Sequence, residues 1–468
     1  MWTRNTRCWT KVPKMLVVGL VVIVRWSIPS DAAMVASAAA TRAFPETLVP
    51  RARPRSRRLS PSVRLPRRDL VRPSTTSPAD DRPRLTEEGE RAVMPTPRVS
   101  WRVNKTGALS GLERVEDEIE PPGPGEVRVR VRAIGLNFAD VFSVLGLYQA
   151  TPPVPFVPGL ELCGVVEAVG PPATNLPEGT VVPTYAPGDR IMVVTRFGAY
   201  ATVVNAPAHQ TRPLPDGWTF EQGAGFLVQG LTAYYAVSAL GGVRRGHKVL
   251  VHSAAGGCGQ FGLGICKAVG ADAIATVGSA SKVAAVLERH PELDPEQIIV
   301  RDRARFHDQV REACEHISRR RGELNTPGAQ AACDVVMDAV MGDFFKGGWD
   351  NLARGGRYVV YGAADLTPAG DLAWYNVWGW VKLGWKYARR AFVDPTNLPG
   401  ENKSIMGFNL IWMFDKVVEL GTLLGELIAL GLPAPSVGAT FAFDELPTAV
   451  RTFQGGGTTG KVVIVVPE

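Results

Sequence analysis

Lys248-Val249-Leu250-Val251-His252-Ser253-Ala254-Ala255-Gly256-Gly257-Cys258-Gly259-Gln260 is the stretch on which the fold turns. Lys248 to His252 reads as a short apolar strand, and a helix follows the glycines through Ala268. Strand, tight turn and helix in that order form the context for dinucleotide binding. The glycines let the backbone approach a pyrophosphate, which rests at the positive end of the helix. The pattern is A-x-G-G-x-G, with Ala254 in the first glycine place. Ala254, Gly256, Gly257, Cys258 and Gly259 are therefore cofactor-binding candidates.

Strands and helices alternate after this turn. Strand Ala273–Val277 precedes a helix from Ser281, strand 297–300 a helix from Phe306, and strands 333–337 and 357–361 follow. That alternation predicts a parallel, doubly wound α/β sheet. Before the turn, a helix is expected from Glu221 through Tyr235. From Val99 to about Ala206 the texture is different, with period-two alternation broken by Pro and Gly. Glu126-Val127-Arg128-Val129-Arg130-Val131-Arg132 is a half-buried strand and Pro187-Gly188-Asp189 a turn, as in a barrel-like β domain. The tail from Lys461 to Val466 is again a strand, expected to complete that first domain. No internal repeat is visible.

Length and charge fit this division. The chain has 468 residues, 45% hydrophobic and 21% charged, a globular mixture long enough for two domains. The net charge of +7 comes from the N-terminal stretch alone. Residues 1–72 hold fifteen basic and three acidic side chains, while the remainder holds 37 basic and 42 acidic ones. No basic stripe with interleaved aromatics follows residue 100, so nucleic acid is not an expected partner. The six cysteines form no C-x-x-C pair, which argues against a zinc ribbon or a disulfide scaffold.

Residues 1–95 read as a targeting presequence. Arg4, Arg7, Lys11 and Lys14 precede the apolar run Met15–Val24, and Ala36-Ser37-Ala38 has the form of a cleavage site. An Arg/Pro/Ser-rich stretch follows, with ten Arg and two acids between residues 42 and 72. A signal-like segment ahead of a transit-like one resembles the two-part presequence of plastids gained by secondary endosymbiosis. A mitochondrial leader, a signal anchor and a disordered tail are the alternatives.

The end of the second strand selects the cofactor. An NAD site carries Asp or Glu there, on the ribose 2′-hydroxyl. This chain has Ala275-Thr276-Val277-Gly278-Ser279-Ala280-Ser281-Lys282, with hydroxyls and a lysine but no acid. NADP(H) is the expected cofactor, with Ser279 and Lys282 on the 2′-phosphate and Arg301 a second cation. A solvated Lys282 in the first turn of a helix is the plainer alternative.

Further strings carry a family resemblance. Gly135-Leu136-Asn137-Phe138-Ala139-Asp140, Gly146-Leu147-Tyr148, Pro158-Gly159-Leu160-Glu161, Leu231-Thr232-Ala233-Tyr234 and the glycine turn occur in that order. Together they resemble the medium-chain dehydrogenase/reductase superfamily, in its quinone oxidoreductase (zeta-crystallin-like) branch. Glu401-Asn402-Lys403-Ser404-Ile405-Met406-Gly407-Phe408-Asn409-Leu410 brings it near the synaptic vesicle membrane protein VAT-1 group. The resemblance spans about residues 100–468. It implies a GroES-like β-barrel catalytic domain over 96–222, completed by 406–468, and a Rossmann NADP-binding domain over 223–405. Two positions depart from the branch pattern: Gly264 stands where it has Gln, and Arg301 where it often has Tyr.

The resemblance also implies a zinc-free site. Zinc-using relatives carry Cys and His where this chain has Asn137 and Leu160, and neither amide nor leucine suits that metal. Chemistry is then expected from a reduced nicotinamide, with quinones or α,β-unsaturated carbonyls as acceptors. Asn137, Asp140 and Tyr148 are expected at the substrate cleft, with Tyr148 or Asn137 donating to the acceptor oxygen and Thr232 near the nicotinamide. Plain packing for Tyr148 and helix capping for Asp140 are the structural alternatives. Tyr361, Gly362, Phe408 and Lys461 join the cofactor set, and a homodimer is expected.

Gly455-Gly456-Gly457-Thr458-Thr459-Gly460-Lys461-Val462 only approximates a P-loop, since Val462 replaces the Ser/Thr and a strand follows. Residues 372–392 combine four tryptophans with Lys386, Arg389 and Arg390. Packing is the default for such a face, and peripheral membrane contact the minority alternative. Two functions follow: an NADPH-dependent quinone or enone reductase, and a membrane- or lipid-associated VAT-1-like protein with little turnover.

Overall fold

The computed structural model describes residues 95–323, 331–366 and 377–467. The presequence reading, and Trp374 of the tryptophan-rich segment, lie outside the described residues.

The first layer is antiparallel. β1 (Thr96–Val103) and β2 (Leu112–Ile119) form a hairpin. β3 (Glu126–Gly135), β4 (Glu161–Val169), β5 (Arg190–Val194), β6 (Val203–Pro207) and β7 (Thr211–Pro213) follow. β3 is central, pairing with β4 on one side and β6 on the same sheet. Val127, Val129 and Val131 are buried at alternate positions, as its period-two pattern requires. The short helix α1 (Phe138–Val144) leaves the end of β3.

The helix expected over Glu221–Tyr235 is broken. α2 (Phe220–Gly223) stops, the chain turns, and α3 (Leu227–Tyr234) starts afresh before a wide π turn over Tyr235–Leu240. The last residue of α2 is closely packed. A Cβ on Gly223 would stand 2.5 Å from Leu214 and 2.6 Å from the Cys163 sulfur, so the backbone itself fills that space.

Among the described residues, six parallel strands form the second sheet: β8 (Lys248–Val251), β9 (Asp272–Val277), β10 (Ile298–Val300), β11 (Cys333–Asp338), β12 (Leu352–Val360) and β13 (Ser404–Gly407). Their order is β10-β9-β8-β11-β12-β13, the doubly wound arrangement with its switch point beside β8. α4 (Gly257–Val269), α5 (Val283–Arg289), α6 (Phe306–Arg320) and α7 (Phe345–Asp350) connect these strands. In α6, Phe306, Val310, Ala313, Cys314 and Ile317 are buried at helical spacing. Gly270 ends α4 in the left-handed region at φ 78°, a conformation that favours glycine.

After β13 the chain returns to the first sheet through β14 (Val437–Ala442) and β15 (Lys461–Val465). β15 runs parallel to β14 and antiparallel to β3. Gly460, just before β15, donates its N–H to the Ala255 carbonyl at 2.8 Å. The last strand of the barrel is thereby tied to the glycine turn of the other sheet. α8 (Val377–Ala388) lies between β12 and β13 in sequence. No described helix is long and apolar enough to cross a membrane.

Candidate active site

The carboxyl ends of the parallel strands supply most of the candidate residues. β8 ends in the glycine turn, where Ser253 takes a positive φ of 54°. Gly256 precedes α4 with extended backbone and no side chain to cap it, so the first N–H groups of α4 lack a side-chain acceptor there. Two of its glycines are crowded, Gly259 by fixed backbone and Gly257 by a side-chain end. A Cβ on Gly257 would lie 1.6 Å from Gln229 Oε1, and one on Gly259 2.4 Å from the Ser253 carbonyl. Desolvation pushes the Cys258 thiol up to about 12, so it remains a thiol at neutral pH.

β9 and β10 bring their polar residues to the same edge. Arg301 donates from Nη1 to Thr276 Oγ1 at 3.2 Å and to Ser253 Oγ at 3.4 Å, and its guanidinium lies over the Phe344 ring. Ser279 and Ser281 hydroxyls are 2.8 Å apart. Lys282 donates to the carbonyls of Gly456 (2.7 Å) and Thr458 (3.0 Å). The P-loop-like string is thus a loop held against the β9 end by that ammonium.

β12 and β13 contribute aromatic groups. Tyr361 stacks on Phe408 with ring centres 5.9 Å apart, and Phe408 meets Tyr235 edge-on at 5.0 Å. Gly362 crosses Ala339 so closely that a Cβ would lie 2.9 Å from its carbonyl oxygen. These features fit a dinucleotide: an uncapped helix start, close backbone approaches at Gly259 and Gly362, and the unpartnered Gln229 Oε1 buried beside the turn.

Two expected contacts are corrected. Lys461, expected on the cofactor, is fully buried, and its ammonium pairs with Glu161 and donates to Asn137 Oδ1 at 3.1 Å. The Asn137 amide, expected to reach the substrate, is spent inside the same network. Its Nδ2 donates to Glu161 Oε1 at 3.0 Å and to the Gly135 carbonyl at 3.3 Å. The other Glu161 oxygen accepts from the Val228 N–H at 3.1 Å, in the first turn of α3. Glu161 is therefore a hub joining β4, β15 and the starts of α1 and α3. No local signal could have paired residues 300 positions apart.

Asp140 takes the capping role. Its Oδ2 accepts from the Asn137 N–H at 2.8 Å and from the Tyr200 hydroxyl at 3.1 Å, while Oδ1 has no partner. Burial pushes its carboxyl up to about 7, against the opposing pull of the Asn137 N–H, Lys461 and Tyr200. Between about pH 4 and 7 the native state keeps a proton that the unfolded chain has released. Stability from this group is therefore present in acid and lost as pH rises. Chemical denaturation at about pH 5 and about pH 8 should show the wild type losing about 2–3 kcal/mol more than Asp140→Asn, which cannot titrate. Parallel losses in the two proteins would refute the assignment.

Tyr148, expected at the substrate cleft, is hydrogen-bonded to a residue beyond the end of β13. It is half-buried, its hydroxyl donates to Asn409 Oδ1 at 2.8 Å, and burial raises it to about 12. It is a neutral donor at physiological pH. Asn409, which sequence reasoning did not assign to the site, lies two residues past β13. Thr232 donates to the Val228 carbonyl of its own helix at 2.7 Å and stays part-exposed. Leu160 is buried, and among the described residues no cluster of His, Cys, Asp and Glu could hold a metal.

Known proteins share this architecture. Residues 123–216 match the alcohol dehydrogenase GroES-like domain and residues 312–464 the zinc-binding dehydrogenase family. The synaptic vesicle membrane protein VAT-1 homolog of Rattus norvegicus is 32% identical over 76% of this chain and 82% of its own length. A mycobacterial protein solved in complex with NADPH superimposes with a TM-score of 0.62 at 27% identity, covering 79% of this chain and 99% of its own. A mycobacterial quinone oxidoreductase gives a TM-score of 0.60 at 27% identity and the same coverage. A barrel tied to a doubly wound sheet, the glycine turn and these relatives lead to one assignment: the chain belongs to the medium-chain dehydrogenase/reductase superfamily of oxidoreductases, among the VAT-1 homologues.

Proposed function

We propose that the chain is a zinc-independent, NADPH-dependent reductase of quinones or α,β-unsaturated carbonyls. The observation that carries this reading is the β9 end, where hydroxyls and the cations Lys282 and Arg301 stand in place of an acid. A ribose 2′-phosphate would find two positive groups there, and the loss of the usual acid removes the partner that favours a bare hydroxyl. The relative solved with NADPH supports the cofactor, and the quinone oxidoreductase supports the acceptor class.

Bound reduced nicotinamide supplies the hydride. The protein's own groups do the rest. Lys282 exchanges its loop carbonyls for phosphate oxygens, and the first turn of α4 holds the pyrophosphate. Tyr148 turns its hydroxyl from Asn409 to the acceptor oxygen, stabilising the charge that develops there. The buried Glu161–Lys461–Asn137 network fixes the start of α3, which carries Thr232. NADPH oxidation by the full-length protein, followed with a panel of quinones and enals, tests the proposal. Acceptor-dependent oxidation is expected. No oxidation with any acceptor, together with no NADPH binding, would overturn it.

One surface favours a second reading, a lipid-associated protein with little turnover. Trp378, Val381, Trp385, Tyr387 and Phe392 are exposed on and just after α8, beside Lys382, Lys386, Arg389 and Arg390. No acid occurs between Leu372 and Val393. Aromatic rings among cations suit an anionic lipid surface. Co-sedimentation with phosphatidylserine vesicles in the absence of any turnover would select this reading.

A further inference from the structure

Gln229 is 6% exposed, and its Oε1 has no hydrogen-bond partner among the described residues. A buried amide oxygen left in this state costs about 1–3 kcal/mol, a cost that a methionine or leucine would avoid. Such a group in a native interior calls for an explanation beyond packing. Its surroundings supply one. The amide presses on the backbone of Gly257, where a Cβ would stand 1.6 Å from Oε1 and 2.8 Å from Nε2. Gly257 opens α4, a 13-residue helix without a side-chain cap. Gln229 also lies three residues before Thr232, so the two share one face of α3.

The ligand group follows from chemistry. An acceptor needs a donor; pyrophosphate oxygens offer none, and of the groups that do, the ribose hydroxyls lie next to the pyrophosphate while the carboxamide lies farther off, beyond the ring. Ser279, Lys282 and Arg301 mark the adenosine side at β9 and β10. α3 stands on the other side of the turn, with its first turn held by Glu161 of the barrel. We infer that Gln229 is a cofactor-binding residue whose Oε1 accepts a hydrogen bond from a hydroxyl of the nicotinamide ribose. This rests on the NADP(H) reading above and adds a residue, and an end of the cofactor, that the glycine turn does not reveal.

Titration calorimetry with Gln229→Met and Gln229→Leu tests it, using NADPH, NADH and 2′,5′-ADP. The last keeps the adenosine 2′-phosphate and lacks the nicotinamide ribose. The variants should bind NADPH and NADH about tenfold more weakly, the worth of one hydrogen bond. They should bind 2′,5′-ADP like the wild type and melt at the same temperature or higher. Unchanged NADPH affinity, an equal loss for 2′,5′-ADP, or failure of both variants to fold would each overturn the inference. A wild type that binds neither NADPH nor 2′,5′-ADP would overturn the cofactor reading itself.

Discussion

Lys461→Met is expected to destabilise the protein by about 3–5 kcal/mol, the usual consequence of removing one partner from a buried ion pair. Glu161 is 1% exposed and would keep only the Asn137 amide and the Val228 N–H as donors. Its charge would then stand in a medium too poor in dipoles to stabilise it. The lysine stem is itself packed: Cβ atoms on Gly135 and Gly225 would lie 2.6 Å and 3.0 Å from its carbons. Methionine follows much of that stem, so the loss would report the charge rather than a void. Adding Glu161→Gln to Lys461→Met should recover a large share, because no unpaired charge would remain. Chemical denaturation followed by circular dichroism gives the comparison. A single-variant loss below about 1 kcal/mol would mean that the pair is worth no more than a surface bridge.

Lys282→Glu is expected to weaken NADPH binding by about 30- to 100-fold while changing NADH affinity by less than about threefold. A hydrogen bond to a charged group is worth about 1.5–3 kcal/mol, and reversing the charge turns attraction into repulsion of the 2′-phosphate. NADH lacks that phosphate and should not register the change. Lys282 also holds the carbonyls of Gly456 and Thr458 in the free protein, so the variant frees that loop before either nucleotide binds. Equal losses for the two nucleotides would assign Lys282 to the loop alone, and the preference for NADPH would lose its physical basis. Fluorescence or calorimetric titrations with both cofactors distinguish the outcomes.

The candidate site is built from groups of two kinds. The glycine turn, Ser279, Lys282 and Arg301 lie within two strand ends of one another along the chain, and the order of strand and helix already assigns them to one sheet edge. Asn137, Glu161 and Lys461 belong to the other kind. Each belongs to a separate string of the sequence: Gly135–Asp140, Pro158–Glu161 and the glycine-lysine string before the last strand. They meet only because β15 returns beside β3. The same return brings Gly460 against Ala255 and so couples the barrel to the cofactor turn.

The sequence by itself determined the class of fold, the glycine turn and the missing acid at β9. Those follow from local rules: alternation sets strand faces, glycine permits close backbone approach, and a strand end exposes its last side chains. Tertiary structure alone decided which polar groups remain available for a ligand. Asn137 and Lys461 satisfied each other and Glu161 in the dry interior, where unpaired charge is costly. Tyr148 is half-buried, and among the described residues its hydroxyl is bonded to the neutral amide of Asn409 rather than to a charge.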